Sequence, residues 1–282
     1  MSSCNARASA VASAYYDSSD ADRFYAAIWG GEDIHIGIYH DPQESIAAAS
    51  ARTVTTLMEL AGGGSPDWTV VDLGAGYGGA SRRLANSWGC RVEAVNISSV
   101  ENGRHRALNR AAGLEGRIRV HDASFEACPL EDGCADLAWS QDAILHAGDR
   151  QEVLREVKRL LRPGGAFVFT DPMAADGVDS VRLRPILERI HLGDLGSPSR
   201  YRAWAEQAGL VCEHWSDHTD MLVSHYTRVR EELRRRRDEL AATINCGYLD
   251  RMDAGLGHWI EGGQAGLLSW GLMRLRRPAG PT

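Results

Sequence analysis

The sequence predicts an α/β fold: a Rossmann-like, doubly wound, seven-stranded sheet with an N-terminal helical lid and a helical insertion after the fifth strand. Three observations predict it. Val70, Val71 and Leu73 form a short apolar run that passes directly into Gly74-Ala75-Gly76-Tyr77-Gly78-Gly79. A buried parallel strand turning into a helix reads this way, because glycine lets the backbone turn tightly and pass close to a ligand. From Asp67 to about Phe169, short apolar segments then alternate with longer helical patterns, as a doubly wound sheet requires. Lastly, Leu161-Arg162-Pro163-Gly164-Gly165 ends a helical pattern just before another apolar run, since Pro-Gly-Gly stops a helix and returns the chain to the sheet.

In chain order, residues 1–14 are small and polar and are expected to be disordered, and 15–66 supply the lid helices. The segment Ile28-Trp29-Gly30-Gly31-Glu32-Asp33-Ile34-His35-Ile36-Gly37-Ile38-Tyr39 inside that lid reads as a glycine- and aromatic-rich loop, poor material for a core. The α/β core spans 67–173, with strands at Thr69–Leu73, Arg91–Asn96, Ile118–His121, Ala135–Ser140 and Ala166–Thr170. Residues 174–248 look mainly helical and arginine-rich, as an insertion over the site would. The stretch 249–282 returns to the sheet, with the last strand or strands in Leu267–Leu275.

At 282 residues and 44% hydrophobic content the chain can bury one large core. A net charge of −7 argues against nucleic acid, whose phosphates call for a basic stripe, and Arg230–Arg237 interleaved with Glu231 and Glu232 reads as a solvated helix face. Six scattered cysteines without a Cys-x-x-Cys pair indicate neither a metal cluster nor a disulfide framework, and fit a reducing, cytoplasmic setting. No apolar run approaches the ~20 residues that span a bilayer, so no membrane partner is expected. Whether the chain forms a homodimer is left open.

The acid of Asp72-Leu73-Gly74-Ala75-Gly76-Tyr77-Gly78 resembles the first motif of class I S-adenosylmethionine (SAM) methyltransferases, and the Leu-Arg-Pro-Gly-Gly step is common among them. In an open α/β sheet the ligand lies beyond the carboxyl ends of the strands, so residues after the first four strands should line its pocket. Those are Gly74, Ala75 and Gly76, then Asn96 and Ile97, then Asp122, Ala123 and Ser124, then Gln141. Asn96 stands where most such enzymes carry an acid for the ribose hydroxyls, and its amide can bond a hydroxyl without charge assistance. Asp122 is expected to accept from the adenine amino group, with Phe125 packed on the base.

A narrower resemblance rests on Trp139-Ser140-Gln141-Asp142-Ala143-Ile144-Leu145-His146, Tyr15-Tyr16-Asp17-Ser18-Ser19-Asp20, the Trp-Gly-Gly-Glu-Asp-Ile-His segment, Thr170-Asp171-Pro172-Met173 and His258-Trp259-Ile260-Glu261-Gly262-Gly263. From about Tyr15 to Arg274 the chain resembles the sarcosine/dimethylglycine N-methyltransferases, which make glycine betaine. Asn96 also suits that family. More distantly it is similar to phosphoethanolamine methyltransferases.

Methyl transfer to an amine needs alignment, exclusion of water and a nitrogen free of its proton. Asp142 and His146, four apart on a helix expected after the fourth strand, should project from one face as the proton-accepting pair, although both residue types also serve as caps or packed helix positions. Aromatic faces tolerate a methylated nitrogen by cation–π attraction, and Tyr16, Tyr25, Trp29, Tyr201, Tyr226 and Trp259 are available. The resemblance implies Trp29, Tyr201, His225 and Tyr226 at the pocket, with Trp29 also beside the cofactor. Pro172 and Met173 should shape the acceptor's size, and Arg182, Arg184 or Arg189 should hold its carboxylate, Arg184 being the one favoured. The residues alone leave three readings open: this N-methyltransferase, an O-, S- or C-methyltransferase of another small molecule, or a SAM-binding regulator without catalysis.

Overall fold

The computed structural model describes residues 19–29, 31–190 and 192–280. The expected disorder at 1–14 and the site residue Tyr16 lie outside them. Helices α1 (Ser19–Trp29) and α2 (Ile46–Ala61) precede strand β1 (Thr69–Leu73), which leads through the glycine turn into α3 (Gly79–Trp88). Then follow β2 (Arg91–Asn96), α4 (Ser99–Ala111), β3 (Ile118–Asp122), β4 (Ala135–Gln141), a short 3₁₀ turn (Ile144–His146), α5 (Arg150–Leu160) and β5 (Leu161–Ala174). Beyond a second 3₁₀ turn (Ser180–Leu183) come α6 (Arg184–Arg189), α7 (Pro198–Gln207), β6 (Val211–Asp217), α8 (Thr219–Arg235), α9 (Arg237–Ala241), α10 (Cys246–Gln264) and β7 (Leu268–Arg276).

The seven strands lie in the order β3-β2-β1-β4-β5-β7-β6. The first five are parallel, and β7 runs antiparallel between β5 and β6. The strand order reverses between β1 and β4, and the crevice at their carboxyl ends is where such a sheet takes its ligand. On one face, Val54 and Leu57 of α2, Leu84 of α3 and Leu222 of α8 pack against Val70, Val92, Val168 and Trp270. On the other, Val153, Leu154 and Val157 of α5 and Tyr201 and Trp204 of α7 cover Val71, Phe167, Phe169 and Met273.

Two expectations are refined here. Residues 174–248 are not simply a helical insertion, because β6 completes the sheet within them as an antiparallel edge strand. Of the two N-terminal helices, α2 belongs to the helical layer on the sheet, while α1 buries Phe24, Ile28 and Trp29 against Val229, Leu233, Leu249 and Met252 of α8 and α10. Around Pro163-Gly164 the helix stops as expected: α5 ends at Leu160, Leu161 already pairs with Ala135, and the ladder shifts register before Ala166 pairs with Leu137. The residues between form a bulge, which accommodates a residue without an N–H and a glycine at φ 83°.

The arginine run is also more than a solvated face. Arg230 and Arg234 both reach Asp253 on α10, and Arg237 reaches Asp250, tying α8 and α9 to α10. These pairs are largely exposed, so they align helices more than they stabilise them. Among the described residues, no helix is long and apolar enough to cross a membrane.

Candidate active site

Two adjoining cavities open at the carboxyl ends of the strands. The first encloses about 940 Å³ of empty space, part of it continuous with solvent, and is walled by Gly74, Ala75, Gly76, Asn96, Ser124 and Gln141 among others. Gly74 and Gly76 adopt φ of 76° and 50°, and a Cβ on Gly74 would collide with the Ala143 methyl, so the turn is built to be free of side chains. The Gly74 N–H donates to the Val95 carbonyl (2.8 Å), fixing the turn to the end of β2. Beneath it Asp72 accepts from Ser81 Oγ (2.5 Å), and burial pushes its carboxyl up to about 6.

At the end of β2 the amide of Asn96 donates to Glu101 Oε2 (2.9 Å), and Glu101 also lines the cavity. A carboxylate is thus present beside Asn96, supplied from the first turn of α4 rather than from the strand. Two polar atoms of the wall, Asp33 Oδ1 and Gln141 Nε2, are buried without a hydrogen-bond partner. Such atoms are costly unless a ligand or water satisfies them. A side-chain-free turn, a carboxylate with an amide, and unpaired donors and acceptors together fit a polar nucleoside-like molecule.

The second cavity, about 510 Å³, lies against the first and is walled by Tyr25, Trp29, Tyr226, Trp259 and His225. Ile34, His35, Asp142 and His146 line both and so mark the junction. Asp142 is the one described non-glycine residue at positive φ (50°). Its Oδ2 accepts from the Ile36 N–H (2.7 Å), and its Oδ1 accepts from Thr170 Oγ1 (2.8 Å) and Trp270 Nε1 (2.8 Å). Burial pushes its carboxyl up, while the charge of His35 and these donors act in the opposite sense. The turn after β4 is 3₁₀ and α5 starts only at Arg150 on an Asp149 cap, so Asp142 and His146 are not helical i,i+4 neighbours. They still meet at the junction, because the strained residue turns the chain sharply at the end of β4.

Residues 31–39 form a strap across both cavities. Glu32 accepts from Arg82 Nε (2.7 Å), Asp33 packs against Gly79 at the start of α3, and the Gly37 N–H donates to His225 Nδ1 (3.1 Å). Contrary to the sequence expectation, Ile36 and Ile38 of this strap are buried in the core under α2.

Residues 71–169 match the family model described as a methyltransferase domain. The chain is 66% identical over 272 residues to a dimethylglycine N-methyltransferase of Parasynechococcus marenigrum (strain WH8102), covering 96% of this chain and 97% of that one. It is 50% identical over 263 residues to the sarcosine/dimethylglycine N-methyltransferase of Halorhodospira halochloris, covering 93% and 94%. The chain belongs to the sarcosine/dimethylglycine N-methyltransferase family. A crystal structure from Galdieria sulphuraria, provisionally assigned as a sarcosine dimethylglycine methyltransferase, shares the fold with a TM-score of 0.87 and 43% identity, covering 92% of this chain and 99% of that one.

In this methyltransferase the sequence-predicted site residues divide. Gly74, Ala75, Gly76, Asn96, Ile97, Ser124 and Gln141, with Asp72 behind them, line the first cavity, and Tyr25, Pro172, His225 and Tyr226 line the second. Trp29 lines the second rather than the first, its Nε1 donating to the His35 carbonyl (3.3 Å). Asp122 and Ala123 line neither: Asp122 is half exposed and is held by Arg106 and by Asn102 Nδ2 (2.8 Å). Arg182 and Arg184 are exposed and line neither, and the side chain of Arg189 lies outside the described residues.

Met173 and Tyr201 belong to the opposite face of the sheet. In a strand successive side chains alternate, so Pro172 and Met173 cannot both face the acceptor cavity. Tyr201 acts at a distance: its hydroxyl donates to Asp171 Oδ2 (2.6 Å), whose Oδ1 accepts from the Leu145 N–H (3.0 Å) next to His146. Burial pushes the Asp171 carboxyl up to about 7, against the bond from Tyr201 and the charge of Arg150. The folded protein therefore keeps a proton that the unfolded chain has released above its ordinary 3.8. This group's stabilisation is complete below that value and is lost as pH rises through about 7. Asp171→Asn should make stability in urea fall less steeply between pH 4 and 7, by up to about 1.4 kcal/mol per pH unit. Parallel slopes for parent and variant would show that Asp171 titrates normally.

His35, Asp33 and Glu101 were not singled out as site residues by the sequence. Glu101 could have been found from the helix that follows Asn96, since its first turn points back at the strand end. For His35 the signal was only its place in the unusual strap.

Proposed function

We propose that this chain transfers the methyl group of SAM to the nitrogen of dimethylglycine, and of sarcosine before it, forming glycine betaine. The observation that carries the reading is the junction: a polar cavity on the glycine turn meets an aromatic cavity at Asp142, His146 and His35. Gly74, Gly76, Asn96, Glu101, Ser124 and Gln141 would hold the cofactor, whose sulfonium supplies a methyl group already activated for displacement.

The chain's own residues then have three tasks. Tyr25, Trp29, Tyr226 and Trp259 exclude water and present ring faces to a methylated, positively charged nitrogen, which favours a quaternary product. Asp142 is held by three donors and cannot turn, so it presents a fixed carboxyl oxygen with a remaining lone pair to the ammonium end. His35 is the residue able to take the amine's proton. Its Nδ1 faces the Ile36 carbonyl (3.3 Å), which can only accept, so the tautomer with its proton on Nδ1 leaves Nε2 to accept. Nε2 is buried without a hydrogen bond, 3.9 Å from Asp33 Oδ1, to which it can pass on the charge it gains when it takes a proton.

Mass analysis of products from pure protein, SAM and each of glycine, sarcosine, dimethylglycine and phosphoethanolamine tests the reading. Betaine from dimethylglycine with release of S-adenosylhomocysteine supports it. Cofactor turnover only with an unrelated oxygen, sulfur or carbon acceptor refutes it. His35→Gln should slow betaine formation about a hundredfold near pH 7. That deficit should shrink toward pH 10, where solution supplies the free amine, whereas a pH-independent deficit would remove His35 from proton transfer.

A further inference from the structure

An amino-acid acceptor brings a carboxylate as well as an amine, and among the described residues neither lysine nor arginine lines the second cavity. Two other groups there lack partners. His225 and Trp259 are 0% and 1% exposed, both line this cavity, and His225 Nε2 and Trp259 Nε1 are buried without a hydrogen bond. Neither residue borders the first cavity, so both belong to the acceptor side alone.

Their chemistry is fixed by what surrounds them. The indole Nε1 is a donor and nothing else. The His225 ring takes a backbone N–H, that of Gly37, on Nδ1 (3.1 Å), and an acceptor nitrogen carries no proton. Burial, with the charge of His35, pulls the ring down to about 3, so it is neutral and its single proton resides on Nε2. The wall therefore holds two uncharged N–H donors facing no protein acceptor. Tyr226 lies between the two rings, its centroid 5.6 Å from that of His225 and 5.3 Å from that of Trp259, and all three line the one cavity.

We propose that His225 Nε2–H and Trp259 Nε1–H bind the carboxylate of the amino-acid acceptor and thereby set its identity and orientation. The proposal rests on the N-methyltransferase reading above. A buried pair of neutral donors holds an anion at lower desolvation cost when that anion's charge is balanced within the same ligand. Dimethylglycine meets this condition, with one methylene between its carboxylate and an ammonium beside Asp142. Placing the carboxylate at the far wall turns the nitrogen toward the junction. A plain carboxylic acid or a dicarboxylate would enter uncompensated, and a choline-like amine would leave both donors orphaned, which is how a site rejects an analogue that lacks the expected group.

Steady-state kinetics with dimethylglycine and SAM test this. Trp259→Phe keeps the ring and deletes the donor, and His225→Asn keeps an acceptor for the Gly37 N–H while deleting Nε2. Each is expected to raise KM for dimethylglycine about tenfold or more, with kcat within a few fold and KM for SAM unchanged. His225→Gln, which can place an amide N–H near the lost Nε2, should recover much of the loss. The proposal is overturned if both donor deletions leave KM for dimethylglycine within twofold. It is also overturned if KM for SAM rises in step, or if Arg189→Ala alone reproduces the effect. Absence of betaine formation by the parent protein would instead refute the underlying activity.

Discussion

Asp142→Asn should cost turnover with dimethylglycine at least about a hundredfold, although the side chains are nearly isosteric. The reason is the direction of the hydrogen bonds. All three groups on the carboxylate are donors: Ile36 N–H, Thr170 Oγ1–H and Trp270 Nε1–H. An asparagine has one acceptor oxygen, so its NH₂ must face a donor whichever way it is turned, and each buried donor left unpaired costs about 1–3 kcal/mol. The Ile36 bond on Oδ2 anchors the strap and the Trp270 bond on Oδ1 anchors β7, so whichever way the amide turns one of these anchors should loosen. Stability measured in urea should drop by about 2–4 kcal/mol. A variant that keeps kcat within threefold would show that Asp142 neither positions the strap nor faces the acceptor.

Gly74→Ala should abolish measurable cofactor binding while leaving the fold intact. The added methyl would sit at φ 76°, which costs an ordinary residue about 1–2 kcal/mol, and would overlap the Ala143 methyl, for a further cost of about 1–3 kcal/mol. The turn can escape only by moving into the cavity or by pulling Ala143, and with it Asp142, away from the junction. Equilibrium dialysis of S-adenosylhomocysteine measures the loss. Because the two methyls collide with each other, adding Ala143→Gly should restore part of the affinity, and the backbone strain should keep the remainder from returning. Normal binding by Gly74→Ala alone would overturn the requirement for a bare turn.

The inner parallel strands β1 and β4 were legible because they are buried nearly throughout and so read as short apolar runs, while the edge strand β3 was marked by Ile118 and Val120 alone. Thr69–Leu73 and Arg91–Asn96 match their predicted bounds, and β3 and β4 each run one residue further than predicted. The strand Val211–Asp217 was not legible, since it lies at a sheet edge with most positions at least partly exposed and carries Glu213, His214, Ser216 and Asp217 where an apolar run would announce it. The cofactor-side turn was readable from its glycines. The acceptor side was readable only in part, because its geometry depends on contacts across the whole chain: Ile36 to Asp142, Gly37 to His225, Trp270 to Asp142. The misplacement of Met173 was avoidable in principle. The alternation of Phe167, Phe169, Asp171 and Met173 toward α5 and α7 follows from the pleat once β5 is extended past Thr170. That Asp142 would adopt a left-handed conformation, and so bring His146 to the junction without a helix, had no sequence signal.

The strap at residues 31–39 has a thermodynamic consequence. Ile34 and His35 belong to the walls of both cavities, and the strap is pinned on one side by Arg82 and on the other by Asp142 and His225. Whatever free energy the first ligand spends in fixing this shared wall need not be spent again by the second. The affinities for cofactor and acceptor are therefore linked, and linkage is reciprocal: the factor by which one sharpens the other must be the same in both directions. An acceptor that binds the cofactor-filled protein more tightly than the empty one also raises the cofactor's affinity by the same factor. The same wall makes the affinity for the demethylated cofactor depend on how much product remains beside it.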